Sequence, residues 1–195
     1  IVGASEAPLT PEVIEGYRKM GALAEDEALA KIDNIETKNI NHRLACRPFG
    51  ENCGFTLSEG SQFIILFDDE LALELGAEIY GSVADVFVNA DGFKKSIPGP
   101  GVGNYLTVGK AMGLIRSILG AESLRNRSYM QAHGTSTPQN RVTESHIFNE
   151  LAKAFAIKEW PITAIKAYIG HSLACASADQ LIASLGVWEQ GIIPG

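Results

Sequence analysis

Short apolar runs recur along this chain, and stretches with helical spacing lie between them. The sharpest run is Phe63-Ile64-Ile65-Leu66-Phe67. Five aromatic and branched residues are too few for a buried helix and suit a buried strand. Residues 79–88, 129–132 and 162–165 read the same way. Between them Val108, Ala111, Met112, Ile115, Ile118 and Leu119 recur at steps of three and four, with Gly120 at the end. Leu181, Ile182, Leu185 and Trp188 repeat the pattern, closed by Gly191. Such alternation predicts a layered α/β fold. The four runs are expected to share one sheet, covered by helices near 108–119 and 178–190.

Local signals refine this reading. Thr10-Pro11 opens a helix whose face carries Val13, Ile14, Tyr17, Met20 and Ala24. Asp68 is placed to cap a short helix over 70–75 that Gly76 closes. Thr143 is expected to cap a helix bearing Ile147, Phe148, Leu151 and Phe155. Residues 25–52 are polar and weakly periodic, a connecting segment with one short helix. Residues 96–103, rich in Gly and Pro, read as a loop.

Composition narrows the class. The 195 residues are 46% hydrophobic and 20% charged, enough for one core and unlike a disordered chain. No apolar run approaches the ~20 residues that span a bilayer, so no membrane is expected. A net charge of −7 argues against a nucleic acid partner. The basic pairs Lys94–Lys95 and Arg125/Arg127 can face a small acidic or phosphorylated carrier, although solvated surface charge is the plainer reading of each. Three cysteines, Cys46, Cys53 and Cys175, form neither a disulfide framework nor a paired metal motif. A reducing, cytoplasmic setting is expected. The first residue is Ile1, which suggests processing or a piece of something longer.

Two histidines are the candidates for carrying chemistry. His133 and His171 each follow a strand-like run and open a loop before a helix. Ligands of open α/β sheets bind at the carboxyl ends of strands, so two imidazoles placed this way are expected to converge. His133 heads His-Gly-Thr-Ser-Thr-Pro, in which Gly134 lets backbone approach closely and three hydroxyls follow. Lys166 stands at the end of a strand among apolar neighbours and needs an anion, for which Glu144 is the candidate. No ligand spacing supports a metal, and no glycine-rich phosphate motif occurs.

These residues, taken together, resemble the β-ketoacyl synthases, the condensing enzymes of fatty-acid and polyketide synthesis. Arg47-Pro48-Phe49 and Gly54-Phe55-Thr56-Leu57-Ser58-Glu59-Gly60 resemble the family's entry to a core strand. Gly76-Ala77-Glu78-Ile79-Tyr80 is similar to the next strand's start. His133 to Pro138 is identical to the family's HGTSTP, and Lys166, Gly170 and His171 match its lysine and Gly-His. Glu144 stands eleven residues after His133, as the family's glutamate does.

The resemblance implies a thiolase-like layered α/β/α fold, partial here, as the second half of a ketosynthase. Within residues 1–195, 1–52 would be a connecting region from the first half and 53–195 the second-half core. It implies decarboxylative Claisen condensation of malonyl-carrier protein with an acyl thioester. His133 and His171 would donate to the thioester oxygen, Lys166 with Glu144 would set local charge and loop geometry, and Thr135 and Thr137 would bind the phosphopantetheine arm. No metal or other cofactor is implied. The expected partners are acyl-carrier protein and, in a homo- or heterodimer, another ketosynthase subunit. The nucleophilic cysteine is expected before Ile1 and a glycine-rich strand after Gly195. A nucleophile-free, pocket-shaping subunit is the alternative. Asn140-Arg141 replace the family's Gly-Asp; Asn140 is expected to keep a positive-φ turn, and Arg141 to reverse a charge near a helix start.

Overall fold

The structure, a computed structural model, describes residues 1–90 and 102–195. Strand β1 (Val2–Glu6) pairs antiparallel with β2 (Gly60–Ile64), from Val2 opposite Ile64 to Glu6 opposite Gly60. Strand β3 (Met130–Gln131) pairs in parallel with β4 (Ile162–Thr163). Among the described residues, the four expected runs therefore do not share one sheet. The run at 63–67 leaves the ladder after Ile64, and Ile65, Leu66 and Phe67 are exposed. Residues 79–88 enter no ladder, and Ile79, Tyr80, Val83, Val86 and Val88 face solvent. A β-prone sequence supplies the surface of a strand, but its N–H and C=O groups need a neighbouring strand.

The helices follow their end signals closely. Helix α1 (Pro11–Lys19) is capped by Thr10, whose hydroxyl accepts from the Val13 N–H, and Tyr17 meets Phe55 edge-on at 5.4 Å. The connecting segment holds the expected helix, α2 (Asp26–Asp33), followed by two short 3-10 turns. Asp68 caps α3 (Asp69–Glu74) through the Leu71 N–H. Helix α4 (Val102–Asn126) contains the predicted 108–119, breaks helical geometry at Gly120 and then resumes. Val102 and Gly103 are thus helical, and the rest of the predicted loop over 96–103 lies outside the described residues, as does Lys94–Lys95.

Helix α5 (Pro138–Phe155) begins five residues before Thr143. Its cap is Thr137, with Pro138 next in line, and Thr143 lies buried inside the helix. A hydroxyl followed by proline provides cap and first helical residue together, which outcompetes a hydroxyl further along. Lys166 does not end a strand; it opens the one-turn helix α6 (Lys166–Ile169). Helix α7 (Ala176–Gln190) ends at Gly191 as expected.

The core joins Met112 and Leu124 of α4 to Ile147, Phe148 and Leu151 of α5, with Ala132 and Ala164 from the ends of β3 and β4. The start of α7 reaches both sheets. Gln180 donates to the Ala132 carbonyl, and Asp179 accepts from Gln62 on β2. No helix among the described residues is long and apolar enough to cross a membrane.

Candidate functional site

The loop after β3 carries His133, whereas His171 follows helix α6 rather than opening the loop after β4 as expected, and the two histidines still meet. Their rings lie 5.6 Å apart, edge to face. The convergence expected from the sequence is thus real. Residues 56–58 pin the second loop: the His171 N–H donates to the Thr56 carbonyl at 2.8 Å, and the His171 carbonyl accepts from Ser58 at 3.1 Å. Phe55 packs against the His171 ring at 5.2 Å.

Glu144 and Lys166 grip the first loop without pairing directly. The Glu144 carboxylate accepts from the backbone N–H groups of His133 and Gly134, each at 2.8 Å. The Lys166 ammonium donates to the His133 carbonyl at 2.6 Å. The expected ion pair is therefore realised as two charges on either side of one residue's backbone. Lys166 is 1% exposed and Glu144 8%. Burial pulls the Lys166 ammonium down to about 8, against the opposing negative charge of Glu144. Burial pushes Glu144 up, opposed by the Gly134 and His133 N–H groups and by Lys166.

Both imidazoles are neutral near pH 7. Burial, then the Lys166 charge, brings each down to about 4. His133 keeps an open side, so solvent screens part of that effect. For His171 the tautomer is set. The Leu173 N–H donates to Nδ1 at 3.1 Å, which places the proton on Nε2. Leu173 itself holds φ at +52°, a strained value for leucine.

The hydroxyl loop is built from itself and from residues 47–52. Thr135 and Thr137 hydroxyls lie 3.2 Å apart, and Thr137 also caps α5. Ser136 is fully buried at φ +68°, and its hydroxyl accepts from the Arg47 N–H. Arg47 is itself clamped to Asp33 by two contacts of 2.6 and 2.7 Å. Asn140 does not form a positive-φ turn. It lies within α5, where its side-chain amide oxygen accepts from the Thr135 N–H, and the same side chain also bonds Glu144. Arg141 reaches away to the Gly50 carbonyl, which removes its charge from the helix start. The sequence read Ser136 as one of three hydroxyls open to a ligand, whereas it is buried and holds the Arg47 backbone. Sequence reasoning gave Arg47 and Leu173 no part in forming the site.

Gly134 packs against protein rather than clearing a ligand path. At φ +54° a Cβ there would lie 2.4 Å from the Ala164 Cβ. Gly134→Ala should therefore lower stability by about 2–4 kcal/mol, as strain and overpacking add. Thermal unfolding of the variant beside the wild type checks this.

The arrangement can aim imidazole N–H groups at an oxygen where negative charge develops. None of the three thiols is primed as a nucleophile. Burial pushes Cys46, Cys53 and Cys175 all upward, away from the thiolate. No cluster of three metal-ligating side chains occurs among the described residues.

Comparison with known proteins agrees with this geometry. The chain is 60% identical over its full length to the β-ketoacyl-[acyl-carrier-protein] synthase FabY of Pseudomonas aeruginosa, of which it covers 30%. The crystal structure of that ketosynthase superposes with a TM-score of 0.95 over the whole chain, again 30% of the longer protein. A 3-oxoacyl-[acyl-carrier-protein] synthase 2 of Synechocystis is 30% identical, and the chain covers 43% of it. A type II polyketide ketosynthase, solved in complex with its acyl-carrier protein, matches at 30% identity and a TM-score of 0.75, over 95% of this chain and 42% of the other. The chain thus spans less than half the length of these relatives, and its fold is the thiolase-like α/β fold of ketosynthases, present in part. Residues 80–195 match the family described as β-ketoacyl synthase, C-terminal domain, and the chain belongs to that family.

Proposed function

We propose that this chain supplies the two-histidine half of a β-ketoacyl-[acyl-carrier-protein] synthase. The observation that carries this reading is the pair of neutral imidazoles with rings 5.6 Å apart, His171 holding its proton on Nε2. Decarboxylation breaks the bond between the malonyl Cα and its carboxylate and releases CO2. The electron pair stays on the enolate, whose oxygen needs hydrogen-bond donors. The enolate carbon then attacks an acyl thioester, and a thiolate leaves. Neutral imidazole N–H groups suit the first step, because a donor that kept its proton throughout leaves no proton to be returned.

Lys166 and Glu144 hold the His133 backbone in place. Thr135 and Thr137 would hydrogen-bond a phosphopantetheine arm, a reading supported by their two hydroxyls lying side by side at 3.2 Å. In this reading the thiol that carries the acyl group is none of Cys46, Cys53 and Cys175, because burial holds each away from the thiolate. The partners of this reading are an acyl-carrier protein and a second ketosynthase subunit in a dimer, in the cytoplasm. No metal or redox cofactor is called for.

The test is to supply the full-length protein with malonyl-carrier protein and an acyl thioester and to look for the β-ketoacyl product by mass spectrometry. No product from a folded protein that carries an upstream thiol would overturn the reading.

A pH profile gives a second check. Both histidines stay neutral down to about 4, and Lys166 loses its proton at about 8. The decarboxylation rate should be flat from about pH 5.5 to about 7 and fall on the alkaline side near Lys166's value. A bell centred on an ordinary histidine value of about 6.5 would contradict two neutral donors.

A further inference from the structure

One carboxylate beside the histidine pair has no part in the chemistry above. Asp179 lies in the first turn of α7. One of its oxygens accepts from the Ser172 hydroxyl and the other from the Gln62 amide on β2. Ser172 directly follows His171 and is 1% exposed. The His171 loop is therefore held on two sides, by the backbone of residues 56–58 on one and by Asp179 on the other.

Resting on the functional reading above, we propose that Asp179 is a positioning residue for the reaction centre. Its carboxylate anchors the His171 loop through Ser172 and ties that loop to β2 through Gln62. Asp179 thus fixes the residue next to His171 to α7 and to β2 at once.

Two substitutions in the full-length protein test the anchor. Asp179→Asn replaces one acceptor oxygen, and Ser172→Ala removes the hydroxyl that Asp179 holds. Each should slow malonyl decarboxylation about tenfold or more, because small misplacements of a reacting group are costly. Each should also change the imidazole 15N shifts of His171, which report its tautomer whether or not the protein turns over malonate. Ser172→Thr keeps the hydroxyl and should recover part of the rate.

Ser172→Ala with wild-type rate and wild-type His171 shifts would overturn the proposal, and it serves if the Asp179→Asn variant fails to fold. A wild-type protein that never decarboxylates malonate would defeat the functional reading instead. The His171 shifts in Ser172→Ala would then still decide the proposal.

Discussion

Replacing His171 by alanine in the full-length protein should slow malonyl decarboxylation by about 10²–10³-fold, the usual effect of deleting one preorganised donor to a developing oxyanion. The ring is neutral, it carries its proton on Nε2, and the Leu173 N–H on Nδ1 prevents the other tautomer. Its loss removes a donor that needs no reorganisation as the enolate forms. His171→Asn should recover part of the rate, because an amide N–H can reach toward the same oxygen without matching the ring's reach. Substrate binding should change far less than turnover, because the donor matters most where charge develops. Equal turnover in the alanine variant and the wild type would remove His171 from the chemistry.

The second large effect concerns stability. Glu144→Ala should cost about 3–5 kcal/mol, the scale found when one partner of a buried charge pair is deleted. Two backbone N–H groups lose their acceptor, and the buried Lys166 ammonium loses its largest compensating charge. Adding Lys166→Met to that variant should restore part of the loss, because the stranded cation is removed as well. Urea unfolding of the two single variants and the double variant measures the coupling. Strict additivity would mean that the two charges do not sense each other across His133.

The pH dependence of stability carries the same signature. The folded-state value of Lys166 is about 8, below the ordinary lysine value of 10.5. Between these values the unfolded chain binds the proton and the folded chain does not, so this group's contribution raises stability as pH climbs through that window. The histidines act in the same sense at lower pH. Their folded values of about 4 lie below 6.5, so stability falls as pH drops from 6.5 toward 4. Lys166→Met should abolish the alkaline gain alone.

Much of the site was legible because short-range chemistry places it. His133 and His171 were found from their position after apolar runs, and Lys166 and Glu144 from the cost of an isolated charge. The helix ends at Thr10, Asp68 and Gly191 were read correctly because a cap is a local hydrogen bond or a local dihedral angle. Thr143 was misread for an equally local reason, since Thr137-Pro138 is the better start.

Partnering across the chain was not legible. Residues 79–88 have the composition of a strand and stand unpaired, because a ladder is a property of two segments and not of one. The linkage of Glu144 and Lys166 through the His133 backbone, Asn140 serving as acceptor for Thr135, and Leu173 selecting the His171 tautomer all depend on distances between loops. By itself the sequence determined which residues come together in the candidate site, the helix boundaries set by caps, and the layered α/β class, because these follow from residue type and spacing. Only the tertiary structure decided which strands pair, which atoms the two buried charges grip and where the imidazole proton sits, because burial, desolvation and hydrogen-bond direction exist only once distant segments have met.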